Sequence, residues 1–257
     1  MVKISVITIN LNNQAGLEST IKTVVSQDFN NFEFIVVDGF SIDGSIEVIK
    51  KYSSNITTTV IEKDTGIYNA MNKGIRASKG EYLLFLNSGD YFINETVLSE
   101  VAPLLQGEDV VGGSMIKLVD CKEHLALSPE KITLEWFVDV SLHHQASFVK
   151  KTLFEKSGLY NEEYKLGGDY EFFVRTLLKE NSSYKNISVA ICYFPTNGIS
   201  NRREWFELNM QEKKKTWNMH FSPVVQRHIE DYIKLKNSKE IKWGTRIINR
   251  LKFLKKT

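Results

Sequence analysis

The chain has 257 residues, of which 42% are hydrophobic and 25% charged, a composition that excludes disordered and collagen-like classes. No run approaches the roughly 18–20 apolar residues that span a bilayer, and Met1-Val2-Lys3-Ile4-Ser5-Val6-Ile7-Thr8-Ile9-Asn10 turns polar too early for a signal peptide. Two cysteines, Cys121 and Cys192, lie too far apart for a disulfide framework or metal-ligand spacing, which points to a reducing cytoplasm.

The net charge of +2 hides an asymmetry. Residues 1–201 carry 18 Lys+Arg against 25 Asp+Glu, whereas residues 202–257 carry 15 against 6. An acidic body with a basic end suggests a polyanionic surface near the C-terminus, either membrane or nucleic acid.

Taken in chain order, two periodicities alternate. Ile4–Ile9 is a continuous apolar, β-branched run, the mark of a strand buried on both faces. After the polar loop Asn10–Gln14, apolar residues at 17, 21, 24 and 25 form one helical stripe. Phe32–Val37 is a second strand ending at Asp38-Gly39. Ser41-Ile42-Asp43-Gly44-Ser45 turns the chain into a helix reaching Tyr52. Thr57–Ile61 reads as a third strand, Gly66–Ser78 as a helix, and Tyr82–Leu86 as a fourth strand ending at Asn87-Ser88-Gly89-Asp90. Strands alternating with such helices predict an α/β fold with a mainly parallel central sheet flanked by helices.

Beyond residue 95 the alternation loosens. Val97–Leu105 reads as helix, Val110–Val119 as a strand containing Gly112-Gly113, and Ser147–Val149 as a short strand. Leu153–Ser157 and Asp169–Lys179 read as helices, and Ile187–Phe194 as a strand. From Arg202 onward the chain reads as helix, interrupted near Ser222-Pro223. There is no repeat and no linker, which favours one α/β body with a helical C-terminal appendage.

Ligands of parallel α/β sheets bind outside the carboxyl ends of the strands. That rule brings Asp38, Asp64 and Asp90 to one edge, where their like charges require a cation or hydrogen-bond donors among them. Asp and Asn are also ordinary turn residues after strands. No Walker loop, dinucleotide fingerprint, H-E-x-x-H or G-x-S-x-G is present. What remains is oxygen-rich: Asp90 with Asn87 and Ser88 suits Mg²⁺ or Mn²⁺, completed by a diphosphate. Asp38 offers the acceptor that a uracil imide N–H requires. His143-His144 could ligate a metal, but adjacent side chains seldom point the same way, so a structural or acceptor-positioning role fits one of them better.

Five ordered blocks resemble the family 2 inverting glycosyltransferases of the GT-A fold. They are Thr8-Ile9-Asn10; Val37-Asp38-Gly39; Ser41-Ile42-Asp43-Gly44-Ser45; Glu62-Lys63-Asp64-Thr65-Gly66-Ile67-Tyr68-Asn69-Ala70-Met71-Asn72-Lys73-Gly74; and Phe85-Leu86-Asn87-Ser88-Gly89-Asp90. His144-Gln145-Ala146-Ser147-Phe148, Gly168-Asp169-Tyr170-Glu171-Phe172 and Gly198-Ile199-Ser200 resemble acceptor-side blocks of bacterial polysaccharide-building members.

The resemblance implies a catalytic domain over 1–201, with a nucleotide-binding half 1–95 and an acceptor half 96–201, and a basic helical extension over 202–257. It implies transfer of a sugar from a UDP-sugar to a hydroxyl of a saccharide acceptor, lipid-linked, in bacterial surface polysaccharide synthesis. Asp38 would bind uracil, with Thr8, Asn10, Asp64, Asn87 and Ser88 on the nucleotide side. Asp90 would hold Mn²⁺ or Mg²⁺, and His144, Gln145 and Ser200 would face the acceptor. The usual Asp-x-Asp metal motif lacks one carboxylate here, since the block reads Asn87-Ser88-Gly89-Asp90. A sugar-binding or degenerate non-catalytic protein of the same fold is the alternative this leaves open. A nucleotidyltransferase would want an Arg-containing Gly-rich loop after strand one, which Asn10–Gln14 does not supply.

Asp169 takes the place of the family's catalytic base. An inverting transfer needs a base to take the acceptor proton, while the metal offsets charge on the leaving diphosphate. Read without the resemblance, Asp169 is equally a helix N-cap.

Residues 242–256 have Trp243, Ile247, Leu251 and Leu254 at helical spacing, flanked by Arg246, Arg250 and Lys256. This is the pattern of a helix lying in an anionic membrane interface; packing against the body or a second subunit is the other reading. The expected partners are a UDP-sugar, a saccharide acceptor and a membrane surface met through 240–257, with no nucleic acid. The expected location is cytoplasmic, at the inner face of the membrane.

Overall fold

A computed structural model describes residues 2–120, 122–196 and 205–238. The first half builds β1 (Ile4–Asn10), α1 (Gln14–Val25), β2 (Phe32–Asp38), α2 (Ser45–Lys51), β3 (Thr58–Ile61), α3 (Ile67–Ala77) and β4 (Tyr82–Phe85). These four strands are parallel, in the order β3-β2-β1-β4.

Alternate side chains of each strand enter opposite layers, as the period of two requires. Ile4, Val6, Phe34, Val36 and Leu84 pack with α1 and α2 on one face. Ile7, Ile35, Val37, Leu83 and Phe85 pack with α3 on the other. Burial on both faces explains the unbroken apolar runs in the sequence.

The second half comprises β5 (Tyr91–Phe92), α4 (Val97–Val101), β6 (Val110–Val119), β7 (Lys122–Ala126), α5 (Leu134–Asp139), β8 (Ser147–Lys150), α6 (Lys151–Ser157), α7 (Gly168–Phe173) and β9 (Tyr184–Pro195). It extends the sheet as β4-β8-β6-β9-β5, with β7 paired to β6. Here the pairing is mixed: β8 is antiparallel to β4 and β6, while β6 and β9 run parallel.

Gly112-Gly113 lies where β6 and β9 leave no room for a side chain. A Cβ on Gly113 would come within 2.6 Å of Ile191, and one on Gly112 within 2.8 Å of the Tyr184 hydroxyl. The β6–β9 register shifts at this point.

Several elements differ from the sequence expectation. The helix expected over Val97–Leu105 ends as α4 at Val101 and continues as a 3₁₀ turn, Ala102–Leu104, because Pro103 lacks an N–H. The helix expected over Asp169–Lys179 is α-helical only to Phe173, then π-helical over Val174–Lys179; an apolar stripe this short fits either winding. The two-residue β5, the exposed β7 and the one-and-a-half-turn α5 carry too little periodicity to be read.

The described residues end with α8 (Phe206–His220) and α9 (Pro223–Asn237), broken at Phe221-Ser222 as the Ser222-Pro223 signal predicts. No helix among the described residues is long and apolar enough to cross a membrane. The segment 240–257 lies outside the described residues, as does Ser200.

Candidate active site

The parallel register sets Asn10 beside Asp38 at the ends of β1 and β2. Asn10 Nδ2 donates to Asp38 Oδ2 at 2.7 Å and to Ser41 Oγ at 3.2 Å. Ser41 donates to the same carboxylate twice, through its N–H at 2.7 Å and its hydroxyl at 2.8 Å. Asp38 is fully buried, and three donors occupy three of its roughly four lone-pair positions.

Asp64 approaches from the β3–α3 loop. A Cβ at Gly39 would lie 2.7 Å from Asp64 Oδ2, so glycine lets the two strand-end loops close together. Lys73 of α3 binds Asp64 at 2.7 Å and Glu62 at 3.2 Å. Burial opposes the charge on Lys73, but its hydrogen bonds to Asp64 and Glu62 outweigh that and raise its pKa. The donors that keep these carboxylates compatible thus come from the protein itself.

Thr8 is buried, and its hydroxyl donates to the Leu86 carbonyl at 2.7 Å. It ties β1 to the start of the 87–90 loop. In that loop Ser88 donates its N–H to Ile9 and its hydroxyl to the Asn13 carbonyl. Gly89 takes the left-handed conformation, φ +105°, which favours glycine. Thr20 of α1 clamps the loop, donating to the Asp90 carbonyl at 2.6 Å and accepting the Gly89 N–H at 3.0 Å. Asp90 is left with 6% exposure. Burial pushes its carboxyl up to about 7, against the pull of His144, Gln145 and the Asn87 backbone.

On the opposite side stands Asp169. Its Oδ2 meets His144 Nδ1 at 2.9 Å. Its Oδ1 accepts the Tyr170 N–H at 2.9 Å and faces the Tyr68 hydroxyl at 3.0 Å. That hydroxyl also lies 2.6 Å from the Leu166 carbonyl. The other ring nitrogen of His144 faces Asn87 Nδ2 at 3.2 Å. His144 therefore spans the 87–90 loop and Asp169.

The two groups favour each other's charged forms. Burial disfavours the imidazolium, yet the hydrogen bond and charge of Asp169, with the charge of Asp90, raise the His144 pKa. Burial likewise works against the Asp169 carboxylate, but His144, Tyr68 and the Tyr170 N–H hold its pKa below the usual range. Neighbouring His143 is driven the other way, to about 3, by burial and by Lys117 and His144.

Asp169 is the second residue of α7, and Gly167 holds the N-cap position, so Asp169 is not the cap. With 18% of its side chain exposed, it can meet a substrate.

Comparison with known proteins decides the family. The sequence profile described as Glycosyl transferase family 2 matches residues 5–157. The chain belongs to glycosyl transferase family 2. An uncharacterized glycosyltransferase of Mycobacterium tuberculosis is 32% identical over 208 residues, 78% of each chain. A PGL/p-HBAD biosynthesis glycosyltransferase of Mycobacterium bovis is 28% identical over 206 residues, covering 77% of this chain and 78% of that one.

Solved structures share the fold. Staphylococcus aureus TarS in complex with UDP-GlcNAc aligns with a TM-score of 0.64 and 22% identity, over 75% of this chain and 58% of that fragment. The mannosyltransferase PcManGT of Pyrobaculum calidifontis, in complex with GDP-Man and Mn²⁺, aligns with a TM-score of 0.59 and 14% identity, over 95% of this chain and 83% of that one. The chain spans 36% of the longer TarS chain. This protein is a glycosyltransferase.

Divalent cations are general to this family, and the donor set here is sparse. Among the described residues no group of three or more His, Cys, Asp or Glu could hold a metal. Asn87 Oδ1, however, is buried without a partner, a few residues from the buried Asp90 carboxylate. Two oxygens fit a hard cation that takes its remaining ligands from a diphosphate; they do not fit an all-protein cage.

Thr8, Asn10, Asp38 and Asp64 gather at one end of the sheet edge. Asn87, Asp90, His144 and Asp169 gather at the other, while Gln145 is buried and accepts from Cys192 through its carbonyl. Sequence reasoning missed Tyr68 and Thr20. Tyr68 lies inside the Thr65–Gly74 block, whose length was its only signal. Thr20 sits in the α1 stripe without distinction. Glu212, beside the Asp169 loop, had no signal at all.

Proposed function

We propose that the enzyme transfers a sugar with inversion from a UDP-sugar to a hydroxyl of a saccharide acceptor. The observation that carries this reading is the Asp169 carboxylate, bonded by His144 and the Tyr170 N–H, sharing the Tyr68 hydroxyl with the Leu166 carbonyl, and still partly exposed. Oδ2 meets His144 and keeps a second lone pair to receive a proton. Asp169 then takes the acceptor proton as that oxygen attacks the anomeric carbon from the face opposite the diphosphate.

Asn10, Asp38, Asp64 and Ser88 surround the nucleotide, with the buried Thr8 holding the loop beneath it. Asp38 is the uracil acceptor, and the buried, unpartnered Asn10 Oδ1 is a further acceptor at the same place. Asp90 and Asn87 would hold Mn²⁺ or Mg²⁺, which supplies charge to offset that of the leaving diphosphate. His144 and Gln145 border the acceptor, with Ser200 assigned there from sequence. UDP-GlcNAc bound to TarS supports a UDP-sugar donor, and the PGL/p-HBAD biosynthesis named for the M. bovis relative supports an acceptor met in a biosynthetic assembly, which we take to be lipid-linked.

The basic segment 240–257 would hold the enzyme against an anionic membrane, where each basic residue adds on the order of 1 kcal/mol. Co-sedimentation with anionic liposomes should fall with salt and fail after truncation at Lys239. The transfer reading is tested by UDP release from a panel of UDP-sugars. Release from one member, abolished by EDTA and restored by Mn²⁺ or Mg²⁺, is the expected result; no release from any member, with or without metal, overturns it.

A further inference from the structure

Glu212 lies on α8, on the far side of the loop that leads into Asp169. It is 7% exposed, and both carboxylate oxygens point into that loop. Oε1 accepts the Lys165 N–H at 2.7 Å; Oε2 accepts the Leu166 N–H at 3.0 Å and the Gly167 N–H at 2.7 Å. Three consecutive backbone donors thus converge on one anion, and charge-assisted bonds of this kind are roughly twice as strong as neutral ones.

Local sequence permits the approach. A Cβ on Gly167 would stand 3.3 Å from Glu212 Oε2, whereas a Cβ on Gly168 would stand 2.8 Å from the Tyr68 ring. The peptide before Asp169 is therefore pressed between Glu212 on one side and Tyr68 on the other. The rest of α8 reinforces the seat: Thr216 bonds the Tyr164 hydroxyl at 3.0 Å, and Trp217 Nε1 donates to the Tyr170 hydroxyl at 2.7 Å.

We infer that Glu212 is a positioning residue for catalysis: it fixes the Lys165–Gly167 backbone so that Asp169 meets the acceptor at the right angle. This rests on Asp169 being the base. A misplacement of about 1 Å at such a group can cost on the order of 10²-fold in rate.

The test compares wild type, Glu212→Gln, Glu212→Asp and Asp169→Asn by amide hydrogen exchange, UDP affinity and UDP release from the UDP-sugar that wild type turns over. In Glu212→Gln, exchange at 165–167 should rise about tenfold or more, while β1–β4 protection and UDP affinity stay unchanged. The kcat should fall on the order of 10²-fold with the donor KM unchanged. Glu212→Asp, which keeps the anion, should recover part of both.

Wild-type turnover in Glu212→Gln, or unchanged exchange at 165–167, overturns the inference. So does a loss of protection spread evenly over the whole chain, which would make Glu212 merely structural. Asp169→Asn decides the base separately: if it turns over normally, that assignment falls, and only the exchange result then speaks for the clamp.

Discussion

His144 and Asp169 come from segments 25 residues apart and meet at 2.9 Å, while the far side of the imidazole faces Asn87. One side chain therefore touches the loop that holds Asp90 and the carboxylate on the acceptor side. Replacing His144 with Ala removes a donor from Asp169 and a neighbour from Asn87 together. Turnover should fall on the order of 10²-fold through misplacement, measured as UDP release, with the fold retained by circular dichroism. Near-normal turnover would make the bridge incidental.

Asp169→Asn keeps the shape of the side chain but removes its capacity to take a proton. UDP affinity should be unchanged, and transfer should drop roughly 10²–10⁴-fold, the usual loss for a general base. Calorimetric titration with UDP and steady-state UDP release separate the two quantities. Equal loss in both would mean that Asp169 supports the pocket and not the proton transfer.

Gly168 has no room for a methyl group. A Cβ there would lie 2.8 Å from the Tyr68 ring, which is buried and packs against Tyr160. Gly168→Ala must push the ring away and so shift the Tyr68 hydroxyl from Asp169. Overpacking of this kind costs about 1–3 kcal/mol, visible in urea unfolding, and turnover should fall beyond what the lost stability explains.

Glu171, next to Tyr170, is 2% exposed and holds Arg175 Nε at 2.8 Å and His220 Nε2 at 2.7 Å. Burial would raise its pKa, but the bonds from His220 and Arg175 prevail and lower it. A lowered folded-state pKa gives stability that is fully present above the unfolded value, about 4.3. It is lost as pH falls through the folded value. The contribution of Glu171, read as the difference in urea midpoint between wild type and Glu171→Gln, should thus be complete above about pH 5 and decline below about pH 4. Glu171→Gln should lower stability at neutral pH, because it strands the buried Arg175 charge.

The parallel half of the fold was legible because its strands are buried on both faces and end in polar loops, so Ile4–Ile9 and Phe32–Val37 announce themselves. The antiparallel pairing of β8 and the short β5 and β7 depend on contacts between distant segments, which no local pattern encodes. At the site, Asp38, Asp64, Asp90 and Asp169 were nameable as carboxylates after strands or before a helix. Their partners were less so. Lys73 and Tyr68 stand within a recognisable block, yet nothing in that block says that one neutralises Asp64 and the other touches Asp169. His144 was assigned to the acceptor side, but its contact with Asp169 joins residues brought together only by the folding of β8 and α7. Glu212 is one charge in a helix carrying Lys213, Lys214 and Lys215, and only packing separates it from a solvated side chain.

The family profile ends at residue 157, before the glycine pair at 167–168. The matched segment therefore takes in the Tyr68 ring but stops short of the Asp169 carboxylate and of Glu212. At 167–168 the loop is one backbone thick, with an aromatic ring behind it and an anion in front. Variation should accordingly be unevenly tolerated at the two adjacent positions: almost nil at Gly168, where a methyl group meets the ring, and limited at Gly167, where the carboxylate would have to give by a few tenths of an ångström.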